Sequence, residues 1–295
     1  KVNHLNDLSW ELKYNNPDTS IILENQALFL AEKLQWKKGI ANSLNNLGIY
    51  NAIKADYPKA LDYYLKALKI DNVILNEAKN PSEKQAAKKG IARRLGNIGI
   101  VYMDQGDYPN ALDYYLKALK VNEELGRKNG VAINLSNIGI VYMEQADYTN
   151  ALDYYFRYLK MAEELGNKSY QATALGNIGI VYMQQADYPK ALDYHFKALK
   201  IDEELGNNNG IARHLGNIGT VYKDQTNYPK ALDYYLKALK IDEEIGDKSG
   251  IAIKLGNIGL LYTSTGKYDE AYIYLYRALA ISDSIGAKYY EKDHY

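Results

Sequence analysis

An eight-residue string returns every 40 residues along this chain. Leu95-Gly-Asn-Ile-Gly-Ile-Val-Tyr102 is followed by close copies that begin at Leu135, Leu175, Leu215 and Leu255, with Ser136 replacing the first glycine once. Self-similarity at a fixed period confines the fold: each copy is one supersecondary unit that cannot bury its apolar face alone, and neighbours must stack. A polar turn and a second apolar pattern follow each string, as in Asp107-Tyr-Pro-Asn-Ala-Leu-Asp-Tyr-Tyr-Leu-Lys-Ala-Leu119. Both halves read as helix. Asp107 suits an N-cap, and Pro109 falls in the first turn, where its missing N–H costs nothing. Gly126, Gly166, Gly206, Gly246 and Gly286 fall where a left-handed residue ends the second helix.

At 100° per residue, Leu95, Ile98, Gly99 and Tyr102 share one side of the first helix, and Arg93, Asn97, Ile100 and Asp104 share the other. The first set is predicted to be buried. A helical glycine costs about 1 kcal/mol against alanine. Two per first helix predict that another backbone passes close by. In the second helix Ala111, Leu112, Tyr115, Ala118 and Leu119 form the buried stripe. Asp113 and Lys117 make an outward i,i+4 pair, repeated as Asp62/Lys66, Asp153/Arg157, Asp193/Lys197 and Asp233/Lys237; such pairs most often mark a solvated face.

The spacing of Leu95, Ile98, Gly99, Tyr102, Ala111, Tyr115 and Ala118 resembles the tetratricopeptide repeat family, in its long-period Leu-Gly-Asn form found in kinesin light chains, spindle scaffolds and bacterial signalling proteins. Departures are few: Tyr158 stands at a usual Ala position, His195 and Leu275 at aromatic positions, and Asn51 at a Tyr position. The resemblance implies an all-α, right-handed superhelical solenoid of about seven stacked hairpins. The expected organisation is one solenoid over 1–295, with units 1–38, 39–89, 90–129, 130–169, 170–209, 210–249 and 250–289. Residues 290–295 match the first turn of a further unit. The first unit is divergent, and the second carries an 11-residue insertion within Ile70–Lys89. Eleven residues make three helical turns and keep the buried stripe in phase, so long helices are expected on either side of Asn80-Pro81.

Charge and composition narrow the function. Lys plus Arg and Asp plus Glu are both 36, and Cys is absent. A neutral chain is a poor counterion for phosphate backbones or anionic membranes, and thiolate metal sites and disulfides are excluded. None of the four histidines makes a His-x-x-x-His pair. His195 takes a position that four sister units give to Tyr, which favours a packed histidine. Gly96-Asn-Ile-Gly99 lies inside a helix and lacks the Gly-Lys-Ser/Thr of a phosphate loop. No catalytic residue, metal or cofactor is expected, and the chain reads as a non-enzyme. The partners expected are a protein or peptide, not nucleic acid or membrane.

The informative feature is the outward stripe of the first helix. Asn46, Asn97, Asn137, Asn177, Asn217 and Asn257 recur at one position, although Asn is a mediocre helix former. Its amide matches the donor and acceptor of a peptide bond. Ile100, Ile140 and Ile180 follow on the same face and suggest a contact surface. In the family the first helices line the concave groove, and equivalent asparagines hold the backbone of an extended peptide. The competing reading is that each Asn bonds the neighbouring repeat. Arg93 and Arg213 on one edge, and Asp104, Glu144 and Asp224 on the other, are candidates for ligand selection, with plain solubility an equal account of them. The expected function is thus a peptide-binding scaffold. The alternatives are an input module of a larger signalling protein that continues past Tyr295, and an array that self-associates through Ile273, Leu275 and Leu279 at its C-terminal end. The cytoplasm is the expected location, or the periplasm if a signal peptide precedes Lys1.

Overall fold

The computed structural model describes residues 1–285; Gly286, His294 and the expected partial unit 290–295 lie outside them. All regular structure among the described residues is helical. The chain forms two compact units, 1–154 and 155–295, whose boundary falls within one helix.

Unit one holds α1 (Val2–Leu12), α2 (Pro17–Lys33), α3 (Lys37–Ile53), α4 (Tyr57–Glu77), α5 (Pro81–Asp104), α6 (Tyr108–Glu124) and α7 (Lys128–Glu144), and α8 (Tyr148–Glu164) spans the boundary. Unit two continues with α9 (Lys168–Gln184), α10 (Tyr188–Leu205), α11 (Asn208–Asp224), α12 (Tyr228–Ile245), α13 (Lys248–Ser264) and α14 (Tyr268–Ser284). Each helix packs on the next within its unit, and first helices also touch one another, α1 on α3 and α3 on α5 in unit one, α9 on α11 and α11 on α13 in unit two. The insertion lengthens two helices. α4 has 21 residues and α5 has 24, against 17 or 18 for the hairpin helices that follow. Asn80 caps α5 by accepting from Glu83 N–H at 2.9 Å, while the Glu83 carboxylate reaches back to Lys79 N–H at 2.7 Å, a reciprocal arrangement close to a capping box.

Local rules place the ends. Asp107 accepts from Asn110 N–H at 3.3 Å, and Asn16, Asp56, Asp187 and Asn227 cap the other Pro-led second helices in the same way; such a cap is typically worth about 1 kcal/mol. Gly126, Gly166, Gly206 and Gly246 all take positive φ after the second helix. The turn inside the hairpin also needs a left-handed residue, which is Gly106 or Gly266 in two hairpins and Ala55, Ala146, Ala186 or Thr226 in four.

The expectation of close backbone approach at both glycines is corrected. A Cβ on Gly99 would lie 2.6 Å from the Tyr115 ring, and one on Gly219 would lie 2.7 Å from the Tyr235 ring. The second glycine is therefore a notch for a side chain of its own hairpin. Around Gly96, the first glycine of the repeated string, a Cβ would meet nothing within 4 Å, whereas at the equivalent Gly176 and Gly216 it would meet the side chains of His214 and Lys254. Near the turn of the later hairpins a tyrosine pair packs across the seam at 5.5 Å between centroids, as in Tyr102/Tyr114 and Tyr222/Tyr234.

Successive hairpins meet through a buried pair that changes from junction to junction. In unit one Arg94 Nε lies 3.2 Å from Asp71 Oδ2. In unit two His214 Nε2 lies 3.1 Å from Asp202 Oδ2, Lys254 Nζ lies 3.6 Å from Asp242 Oδ2, and the corresponding Ala162 and Ala174 are both fully buried. The outward pairs are real but exposed: Lys117 is 2.5 Å from Asp113 and Lys197 is 2.7 Å from Asp193. Exposed pairs of this kind contribute at most about 1 kcal/mol each.

The glycine geometry gives opposite outcomes three residues apart. Gly99→Ala should lose roughly 1–3 kcal/mol by overpacking against Tyr115, whereas Gly96→Ala should gain up to about 1 kcal/mol of helix propensity. Urea unfolding midpoints of the two variants read the sign directly. At φ +59°, Thr226 is a β-branched residue in left-handed backbone, so Thr226→Gly should raise the unfolding free energy by about 0.5–1 kcal/mol and the urea midpoint with it, the relief of strain exceeding the added entropy of the unfolded chain.

Candidate functional site: the face of the first helices

A first helix has one side occupied by its hairpin and the next, and the residues left over form the candidate surface. Asn46, Asn97 and Asn137 in unit one, and Asn177, Asn217 and Asn257 in unit two, are all half-buried on that side. Their hydrogen bonds divide them. Asn46 Nδ2 donates to Glu24 Oε2 at 3.2 Å, and Asn97 Nδ2 donates to Asn45 Oδ1 at 3.0 Å. These two tie neighbouring elements together, as the packing alternative expects. Asn137, Asn177, Asn217 and Asn257 make no side-chain hydrogen bond among the described residues. A half-buried amide with neither donor nor acceptor used is poised for a ligand or for water.

Ile100 and Ile140 are exposed and Ile180 is half-buried. Two further isoleucines lie on the same side of the helix, four residues before the asparagine: Ile133 and Ile253, 49% and 55% exposed. They occupy the position of Arg93, Thr173 and Arg213, so one position varies between guanidinium, hydroxyl and apolar side chains. Sequence reasoning passed over them by treating that position only as a charged edge.

In unit one a cavity of about 710 Å³ opens between the N-terminal halves of α3 and α7 and the middle of α5. Arg93, Asn97, Ile100 and Asn137 line it together, joined by Asn42 and Ile133. Asn46 is not part of its wall. Asp104 and Glu144 lie at the far ends of α5 and α7 and do not line it either. Asp104 is exposed, and partial desolvation raises its carboxyl pKa. Asp224 has its own partner, Lys223, at 3.4 Å. Arg213 is exposed in unit two.

His195 and His214 are packing residues, whereas His4 is exposed. His195 is fully buried, takes the notch of Gly179 where sister hairpins seat Tyr, and neither of its ring nitrogens has a hydrogen-bond partner. Burial, then the charges of His214 and Arg213, push its pKa down to about 3. His214 lies with its ring 6.0 Å from that of His195, between Asp202 and Arg213; burial first and Arg213 second bring its pKa to about 4. Among the described residues no three His, Asp or Glu side chains converge as a metal site, and no helix is long and apolar enough to cross a membrane.

Family models decide the kinship. The tetratricopeptide repeat model matches residues 91–164 and 170–244, and a second tetratricopeptide model matches 255–284. The chain belongs to the tetratricopeptide repeat family. No curated protein sequence matches it. Solved structures share the fold at low identity. The apo form of RapI matches with TM-score 0.74 at 16% identity, over 97% of this chain and 99% of its own. A Rap protein complexed with competence and sporulation factor matches with TM-score 0.59 at 15% identity, over 97% and 98%. BtubC (BKLC) from P. vanneervenii matches with TM-score 0.64 at 18% identity, over 81% and 96%. The fold is thus a tetratricopeptide-type solenoid of helix hairpins, a class that serves in general as a non-catalytic binding scaffold.

The buried His195 makes this solenoid acid-sensitive. The folded chain holds the ring neutral down to about pH 3, while the unfolded chain takes up a proton below about 6.5. Stability from this group is therefore complete above about pH 6.5 and is lost as pH falls toward 3, by up to about 1.4 kcal/mol per pH unit. His195→Tyr, which restores the residue found at Tyr115, Tyr155 and Tyr235, should flatten that slope. Urea midpoints at pH 5 and pH 7.5 compare the two proteins.

Proposed function

We propose that this chain holds an extended peptide segment of a partner protein along its first helices, through the asparagine side chains. The observation that carries this reading is the set of unused amides at Asn137, Asn177, Asn217 and Asn257, each half-buried on the open side of a first helix. An extended peptide presents the complementary donor and acceptor at regular intervals. Exposed Ile100, Ile133, Ile140 and Ile253 supply apolar contact beside them, and the charges of Arg93, Arg213, Asp104, Glu144 and Asp224 discriminate between sequences. The Rap protein complexed with competence and sporulation factor supports the reading only by showing that a chain of this fold can carry a bound factor. Asn46 and Asn97, already bonded within the protein, contribute to packing and less to the ligand.

A neutral hydrogen bond of this kind is worth about 0.5–1.5 kcal/mol net, so affinity comes from several acting together. A peptide selected from a random library against the intact chain provides the probe. Asn217→Ala alone should weaken its binding by less than about tenfold, and Asn137→Ala, Asn177→Ala and Asn217→Ala combined should nearly abolish it. A folded triple variant that binds every selected peptide as the parent does would move the binding surface elsewhere. Asn46→Ala and Asn97→Ala should show the reverse balance, lowering the unfolding midpoint more than the affinity.

A further inference from the structure

Charge is balanced over the whole chain, 36 basic side chains against 36 acidic, but not in the unit-one cavity. Lys38, Lys89, Arg93, Arg94 and Arg127 line it against one carboxylate, Asp71. Asp71 is engaged: its Oδ2 lies 3.2 Å from Arg94 Nε, with both side chains buried. Arg94 also donates to Ala41 C=O at 3.0 Å, which fixes it in the wall. Lys38, Lys89, Arg93 and Arg127 are left facing the cavity, with no carboxylate in ion-pair range among the described residues.

The two guanidiniums among them are oriented. Arg93 Nη2 donates to Asn42 Oδ1 at 2.8 Å, and Arg127 Nη1 donates to Asn122 Oδ1 at 3.1 Å. Each partner is a neutral amide from another helix, which sets the direction of the fork without cancelling its charge. The two feel each other: burial first lowers the Arg93 pKa, Asp71 opposes this, and the charge of Arg127 lowers it further. Like charges held at one cavity are relieved by an anion between them. Room for one exists, since a Cβ on Gly96 in the wall would meet no atom within 4 Å.

We propose that this cavity binds a phosphoryl dianion, carried either by free phosphate or by a phosphorylated side chain of a bound peptide. Four cations reach the space from α3, α5 and the cap of α7. A carboxylate is planar, carries one charge and satisfies one fork, leaving the remaining cations opposed. A phosphomonoester carries about −1.5 to −2 at pH 7 and offers three acceptor oxygens in different directions. Guanidinium forks suit such oxygens pairwise. The site shares Asn97 and Asn137 with the peptide groove, but it stands on the cations and not on the amides.

Isothermal titration calorimetry on the intact chain at low salt tests this, with inorganic phosphate, a short phosphoserine peptide, and its serine and glutamate counterparts. Saturable one-to-one binding of at least one phosphate ligand is expected, weakened at least tenfold by Arg93→Gln with Arg127→Gln and unchanged by Lys160→Gln with Lys200→Gln. A phosphopeptide that binds more tightly than inorganic phosphate assigns the source to a peptide; equal or weaker binding assigns it to the free ion. If the double arginine variant does not fold by circular dichroism, Lys38→Gln with Lys89→Gln decides, with a loss of threefold or more expected. The proposal is overturned if neither phosphate ligand binds, if the phosphoserine peptide binds and its glutamate counterpart binds equally well, or if folded charge variants keep full affinity. Binding of inorganic phosphate reads the cation site alone, so it survives even if the asparagine stripe proves to be packing.

Discussion

The seat of an aromatic ring on a glycine holds the hairpins of Gly48, Gly99, Gly179 and Gly219 together, and the rest of the structure is arranged around it. Tyr64 on Gly48, Tyr115 on Gly99 and Tyr235 on Gly219 all place ring carbons where a Cβ would have to be. The two helices therefore approach more closely than larger residues would allow, and the ring is buried on both sides once the next hairpin stacks. That burial explains why the same string of residues recurs with so little drift. A methyl group at the notch costs packing in a close-packed interior, whereas the neighbouring glycine at Gly96 is under no such constraint. Substitutions at the ring position keep a compact, flat or branched group: His195 takes the notch of Gly179, and Leu275 that of Gly259.

Stacking near-identical hairpins raises a second problem, because any one could pack on any other. The junction pairs answer it. Asp71 with Arg94, Asp202 with His214, Asp242 with Lys254, and the uncharged Ala162 and Ala174 give the junctions different chemistry at one position. A buried ion pair adds little net stability, since desolvation offsets its attraction, but a mismatched junction leaves a charge buried alone. Glycines of the first helix, Gly90, Gly210 and Gly250, make room for the acid at each such junction.

With the hairpins closed and ordered by buried contacts, the open side of the first helices is free to vary. It carries half-buried amides, exposed isoleucines and, in unit one, a concentration of cations that overall neutrality conceals. The same helix thus has one side under tight steric control and one side available for recognition, which is how a repeat fold supports many ligands on one scaffold.

The sequence by itself determined the element type, the hairpin period, the caps and the buried stripes. Each is a local or periodic property: Asp107 caps its own helix, Gly126 ends the preceding one, and Leu95, Ile98 and Tyr115 declare their side by spacing. The asparagine stripe was legible for the same reason. Tertiary structure alone decided how those asparagines are used, because Asn97 donates to Asn45 on another helix while Asn137 makes no side-chain hydrogen bond among the described residues. It decided that Gly99 faces a ring and not a backbone. It also decided the site charge. Lys38, Lys89, Arg93 and Arg127 are spread over 90 residues of sequence, and Asp71 is removed from the balance only by a contact with Arg94 that spans the inserted turns. Net charge is a sum over the chain, but a field is set by which charges share a space, and only folding brings them there.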